Sequence, residues 1–145
     1  MIKYKKGNLL DAQQGIIVHQ TNCQGSMGAG VAKHIKNHYP EVFKQYFKLC
    51  QSTKEKETLM GRVQFIEQDE KLICNLFAQL HYAPKQLRHT SYDSLVEGFL
   101  TIKELYEGDI AMPLIGCGLG GGDWKIVSAI IESIFDDRDI YVYEL

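Results

Sequence analysis

No segment of this sequence approaches the roughly 20 consecutive apolar residues that a membrane-spanning helix requires. The opening stretch, MIKYKKGNLL, lacks the apolar run of a secretion signal. No membrane partner is expected. Positive charge is not in excess either: 16 basic and 18 acidic residues give a formal net charge of −2. A protein that grips nucleic-acid backbone needs a surplus of lysine and arginine. That class is disfavoured, and no sequence-specific nucleic-acid partner is expected. The four cysteines, Cys23, Cys50, Cys74 and Cys117, form no C-x-x-C pair and no zinc-finger spacing. Cys50 and Cys74 lie in apolar surroundings, as reduced buried thiols do, so a reducing cytoplasmic compartment is expected. His34 and His38 are spaced i, i+4, but no third ligand is near them. No metal and no cofactor are expected. Repeats, low-complexity tracts and linkers are absent too, and residues 1–145 read as a single domain, expected to be a monomer.

What is present suits a packed core. Hydrophobic residues make up 45% of the 145 and charged residues 23%, which are globular values. Short apolar runs at 2–5, 15–20 (GIIVHQ), 61–66, 72–78 (LICNLFA), 109–115 (DIAMPLI) and 140–143 predict strands. The runs at 72–78 and 109–115 are almost unbroken, which suits strands covered on both faces. Between them lie helix-periodic stretches. One spans about 29–37. The next starts at Pro40 and carries Val42, Phe43, Tyr46, Phe47 and Cys50 on one stripe. Others span 92–106, with Ser91 as N-cap, and 124–135. The polar residues 79–90, with Pro84, predict a loop. Strands alternating with amphipathic helices predict a three-layer α/β/α sandwich with a mixed, mainly parallel sheet.

Two glycine-rich segments follow predicted buried strands and lead into helices: HQTNCQGSMGAGV at 19–31 and PLIGCGLGGGDW at 113–124. Ligands of open α/β sheets bind beyond the carboxyl ends of strands. A helix N-terminus there offers unpaired N–H groups and partial positive charge. Glycine lets backbone approach a phosphate closely. Two such loops suit the two phosphates of a pyrophosphate. The density of Gly118, Gly120, Gly121 and Gly122 exceeds the needs of an ordinary turn. No G-K-[ST] follows, which excludes a P-loop, and G-S-M-G-A-G is a poor dinucleotide-binding fingerprint. Beside these loops, His19 is either a general acid or base or a core histidine at a strand end. Asn22 carries an amide suited to ribose hydroxyls. Asp123 either orients a water or caps the helix that begins at Trp124, and the two roles are compatible. Cys23 and Cys117 read as small loop residues offering backbone contacts rather than as nucleophiles.

At these loops the sequence resembles a macrodomain, in the branch of the ADP-ribose-1″-phosphate phosphatases and the terminal ADP-ribose protein glycohydrolases. The matching residues are Val18-His19-x-x-Asn22-Cys23, Met27-Gly28-Ala29-Gly30-Val31-Ala32, Met112-Pro113-x-Ile115-Gly116-Cys117-Gly118-Leu119, Asp123-Trp124 and Val142-Tyr143-x-Leu145. The likeness runs from Gly7-Asn8-Leu9 to the last residue. It implies a six-stranded mixed sheet between helices, with ADP-ribose or a derivative as small-molecule ligand over the strand ends. Asn8 and Leu9 would sit near adenine, and Asn22 would face the distal ribose. Gly28, Ala29, Gly30 and Val31 would follow the ribose and phosphate. Gly116, Cys117, Gly118, Leu119, Gly120 and Gly121 would wrap the diphosphate. In two places the chain departs from the pattern. Macrodomains commonly carry aspartate at the place of Asn8. The glycohydrolase branch uses a lysine and an aspartate where this chain has Gln79 and Gly120. The phosphatase branch suggests a histidine and an aspartate matching His19 and Asp123 as catalytic residues. The implied activity is hydrolysis of a distal-ribose adduct, foremost the phosphate of ADP-ribose-1″-phosphate. Hydrolysis of ADP-ribose esters or modified macromolecules, and a non-catalytic ADP-ribose reader, stand as alternatives.

Overall fold

A computed structural model describes residues 1–84 and 87–145. Six strands form one sheet: β1 (Ile2–Lys6), β2 (Ile16–Asn22), β3 (Val63–Gln68), β4 (Lys71–Gln79), β5 (Ile110–Met112) and β6 (Ile140–Glu144). Four α-helices connect them: α1 (Gly30–His38), α2 (Pro40–Ser52), α3 (Tyr92–Leu105) and α4 (Trp124–Ile134). The sheet order is β1-β6-β5-β2-β4-β3. All pairs are parallel except β3 with β4. The carboxyl ends of five strands therefore share one edge, and the chain leaves each along that edge. The loop expected over 79–90 includes Lys85 and Gln86, which lie outside the described residues.

The period-2 pattern of the central strands builds two cores. Ile17 of β2 and Ile73 and Phe77 of β4 face α1 and α2, together with Ile35, Val42, Tyr46 and Cys50. Ile16, Val18, Cys74 and Leu76 face α3 and α4, where Leu95, Phe99, Ile102, Val127 and Ile131 meet them. Full burial of each such side chain stabilises the fold by roughly 1.5–3 kcal/mol. The α/β/α sandwich follows because the central strands are apolar on both faces and need helices on each side. Strand β5 is shorter than the 109–115 run, because Pro113 has no N–H to extend the ladder. Strand β2 runs on to Asn22, and a register shift between Thr21 and Asn22 sets Asn22 opposite Gln79. Among the described residues, no helix is long and apolar enough to cross a membrane.

Candidate functional site

Strands β2 and β5 are neighbours, so the loops that follow them emerge side by side. They touch. A side chain added at Gly30, which has φ +61°, would stand 3.5 Å from Leu119 Cδ1. The second loop is coiled on itself: Gly122 N–H donates to Gly116 O at 2.8 Å and Gly121 N–H to Gly118 O at 3.1 Å. It is also held from the β4 side. The N–H groups of His89 and Thr90 donate to Gly120 O, and the Thr90 hydroxyl donates to Gly116 O at 2.6 Å. Behind Thr90 lie two amides. Gln20 Nε2 donates to Thr90 Oγ1 at 2.9 Å and to Gln79 Oε1 at 2.7 Å, and Gln79 Nε2 donates to His81 O. Among the described residues, no protein acceptor faces the N–H of Gly116, Gly118 or Leu119. On the first loop the N–H groups of Gly28 and Ala29 are likewise uncommitted. Ala29 caps α1 with no side-chain bond, leaving that helix start open. The outcome is a row of amide donors from two abutting loops, ending at a helix N-terminus. That arrangement suits a diphosphate.

The side chains behind the first loop are structural. Asn22 Oδ1 accepts from Gln24 N–H at 2.9 Å, and Asn22 Nδ2 donates to Ser26 O at 2.8 Å. The buried Tyr46 hydroxyl lies 2.8 Å from both Asn22 O and Asn22 Oδ1. The amide expected to face a ribose is thus mostly spent on shaping the loop, with one Nδ2 hydrogen left over. Cys23 (0% exposed), Met27 (2%) and Ile115 (1%) lie beneath the loops. Their side chains pack into the core under the loops and offer almost no surface to a ligand. Gly120 is also buried, under the Thr90 hydroxyl. Gly28, Ala29, Gly30, Gly118, Leu119 and Gly121 are exposed, and Val31, Pro113, Gly116 and Cys117 are half-buried. Asn8 is exposed and uses Oδ1 to cap a short 3-10 turn by accepting from Leu10 N–H, while Leu9 is buried below it.

His19 is not exposed at the strand ends. It is 1% exposed and points to the α1–α2 face, where its Nε2 lies 2.5 Å from Asn75 Oδ1. Asn75 in turn donates to Gln64 Oε1. Burial lowers the His19 pKa to about 4, partly offset by the Asn75 bond, so the ring is neutral near pH 7. This placement matches the core-histidine alternative for His19 and leaves the ring unexposed at the strand ends. Asp123 lies at the start of α4, exposed, on the other side of the sheet; its Oδ1 accepts from Lys125 N–H at 2.9 Å, an N-cap. The structure does not bring His19 and Asp123 together. Thiol nucleophiles are disfavoured: burial raises the Cys23 pKa to about 12, and burial with the nearby Asp123 charge raises that of Cys117 to about 11. Sequence reasoning passed over Gln20, Thr90, Tyr46 and Asn75. The available signal was a lone polar residue inside an apolar strand run, as Asn75 is in LICNLFA.

Comparison with known proteins agrees with this geometry. The Macro domain family matches residues 18–131. A Mycobacterium tuberculosis protein named DNA ADP-ribosyl glycohydrolase is 34% identical over 99% of this chain, and the match spans 42% of that protein's length. A Saccharomyces cerevisiae protein named ADP-ribose 1″-phosphate phosphatase is 28% identical, with 99% of this chain and 98% of that protein covered. Among solved structures, the macrodomain of Mycobacterium tuberculosis DarG superposes with a TM-score of 0.84 at 29% identity, covering 100% of this chain and 98% of that one. Two abutting amide-rich loops at the carboxyl ends of parallel strands, and a family match over most of the sequence, establish that this chain belongs to the macrodomain family.

Proposed function

We propose that this chain binds ADP-ribose derivatives and hydrolyses a group from the distal ribose, foremost the phosphate of ADP-ribose-1″-phosphate. The observation that carries the reading is the row of uncommitted N–H groups on Gly28, Ala29, Gly116, Gly118 and Leu119 beside the open start of α1. A diphosphate laid there receives several amide bonds and the favourable end of the helix dipole without any cationic side chain. Adenine then lies on the β1 side, near Asn8, whose Nδ2 stays available. The distal ribose lies on the β4 side, near Gln79. The relative named as a phosphatase, covered almost end to end, supports this chemistry.

In the proposed step a water attacks the terminal phosphorus, the bond from phosphorus to the ribose oxygen breaks, and ADP-ribose and inorganic phosphate leave. Asp123 orients that water with its second carboxylate oxygen, since Oδ1 is occupied by the cap. An amine nucleophile plays no part, because Gln79 stands where the glycohydrolase branch has lysine. Monoester hydrolysis is extremely slow without a catalyst, so a modest site produces a measurable enzyme. We take residues 1–145 as one monomeric, cytoplasmic macrodomain. A second reading, release of ADP-ribose from a modified macromolecule, draws on the 34% identity to the relative named for DNA. Purified protein is incubated in parallel with ADP-ribose-1″-phosphate and with ADP-ribosylated DNA, and free phosphate and free ADP-ribose are measured. Phosphate from the first selects the leading reading, and ADP-ribose from the second selects the other. Calorimetric ADP-ribose binding with neither product leaves a reader, and no binding at all defeats every version.

A further inference from the structure

Among the described residues the amide cradle itself carries no positive side chain, yet a monoester on the distal ribose adds about −1.5 to −2 of charge at pH 7 beyond the diphosphate. Arg88 is built against the cradle. A Cβ placed on Gly121 would lie 3.2 Å from the Arg88 Cα, so the Arg88 backbone packs directly on the glycine-rich loop. The two residues after it fasten it there, since His89 and Thr90 both donate N–H to Gly120 O, at 2.8 and 3.1 Å. The guanidinium is not loose: its carbon stands 4.7 Å from the centre of the Tyr92 ring. The Tyr92 hydroxyl in turn accepts the N–H of Asp123 at 3.0 Å. Arg88 is exposed. Among the described residues it has no carboxylate partner, whereas Arg138 is paired with Asp137 and with backbone carbonyls.

Position completes the case. Arg88 lies on the segment that follows β4, and β4 flanks β2 on the side away from β5, β6 and β1. A ligand with its diphosphate between the β2 and β5 loops and its adenine on the β1 side brings its far end toward this segment. We propose that Arg88 is the specificity residue for a phosphate on the distal ribose, a role that rests on the functional reading above. A guanidinium offers paired N–H donors in a planar fork that matches two phosphate oxygens. Stacking on Tyr92 pre-orients that fork and reduces the ordering cost of binding. Asp93 lines the same surface depression as Arg88, and the Asp123 backbone bonds the Tyr92 hydroxyl; both carboxylates are exposed, and their repulsion of an incoming dianion is what Arg88 offsets.

The test uses wild type, Arg88→Gln and Arg88→Lys, each checked by thermal melting. Affinity is read as displacement of a fluorescently labelled ADP-ribose by unlabelled ADP-ribose or ADP-ribose-1″-phosphate, sampled before turnover. Wild type is expected to prefer the phosphorylated ligand. Arg88→Gln should weaken that ligand about tenfold, the scale of a charged hydrogen bond at an exposed site, and leave ADP-ribose within about twofold. Arg88→Lys, which keeps the charge and loses the fork, should give an intermediate loss. Equal weakening of both ligands, or no weakening of either, overturns the assignment of Arg88 while leaving the functional reading intact. Failure of wild type to displace the probe with ADP-ribose overturns both.

Discussion

Gly122 donates its N–H to the carbonyl of Gly116 at 2.8 Å, and this bond closes the second loop into a coil in which the N–H groups of Gly116, Gly118 and Leu119 have no acceptor among the described residues. A Cβ at Gly122 would lie 2.6 Å from that same carbonyl oxygen, a backbone atom held in place by Thr90. A Cβ at Gly118 would meet none of the described residues within 4 Å. Two glycines four residues apart thus have different reasons to be glycine: one makes the turn, the other leaves room in front of it.

Gly118→Ala and Gly122→Ala separate these reasons. Gly122→Ala forces the loop open and should lower both the melting temperature and ADP-ribose affinity, with a stability loss of about 1–3 kcal/mol by the overpacking scale. Gly118→Ala should leave the melting temperature within a degree or two and still weaken ADP-ribose about tenfold, because the methyl stands where the ligand's oxygens approach. Unchanged affinity in Gly118→Ala would show that no ligand passes that surface.

Thr90 accepts from Gln20 and donates to Gly116, so its hydroxyl is one link between the sheet and the second loop, beside the backbone bonds to Gly120. Thr90→Val keeps the shape and removes both bonds. Buried partners left unpaired cost about 1–3 kcal/mol each way. Denaturant unfolding should show a loss of that order, and ADP-ribose affinity should fall as the loop loosens. Thr90→Ser should restore both. A Thr90→Val protein with unaltered affinity would mean that the loop holds its form without this tie.

Most of the fold was legible because burial patterns are local. The run GIIVHQ announced β2, the LICNLFA run announced β4, and Ser91 and Asp123 cap α3 and α4 with their side chains as their sequence positions suggested. The glycine-rich loops were legible for the same reason. The side chains behind them were not, because their partners are far along the chain. His19 meets Asn75 across 56 residues, and Gln20 meets Thr90 across 70. Nothing near His19 in sequence separates a ring enclosed between a strand and two helices from one at the mouth of a cleft. Tyr46 reads as one member of an apolar helix stripe, and only the fold discloses that its hydroxyl holds Asn22.

The enclosed His19 gives stability a pH dependence. Its folded pKa is depressed to about 4, below the ordinary histidine value of 6.5. Between those values the unfolded chain binds a proton that the folded chain refuses, so stability is complete above about pH 6.5 and is lost as pH falls toward 4. The loss reaches about 3 kcal/mol for this group, a large share of a typical total of about 5–15 kcal/mol. Melting curves from pH 7 to 4.5 should fall more steeply for wild type than for His19→Gln. The same variant, if folded, should retain kcat within about threefold. A loss of a hundredfold with intact melting would return His19 to the proton-transfer role.

Asp123 presents two functions that one substitution can split. As an N-cap it needs only an acceptor oxygen, and asparagine caps as well as aspartate does. As an orienter of water it needs the charge, since a carboxylate accepts on both oxygens and an amide offers one acceptor and a donor pair. Asp123→Asn should therefore melt within about a degree of wild type, while Asp123→Ala loses about 1 kcal/mol of helix stability. On ADP-ribose-1″-phosphate both variants should lose kcat by about a hundredfold or more, the scale of a positioned general acid or base, with KM little changed. Asp123→Asn is the decisive variant. If it melts normally and hydrolyses normally, the carboxylate is a cap and nothing more, and the attacking water must be held from elsewhere on the rim. If it melts normally and fails to hydrolyse, the charged carboxylate is committed to the reaction beyond its cap, because the cap alone needs only the acceptor that asparagine retains.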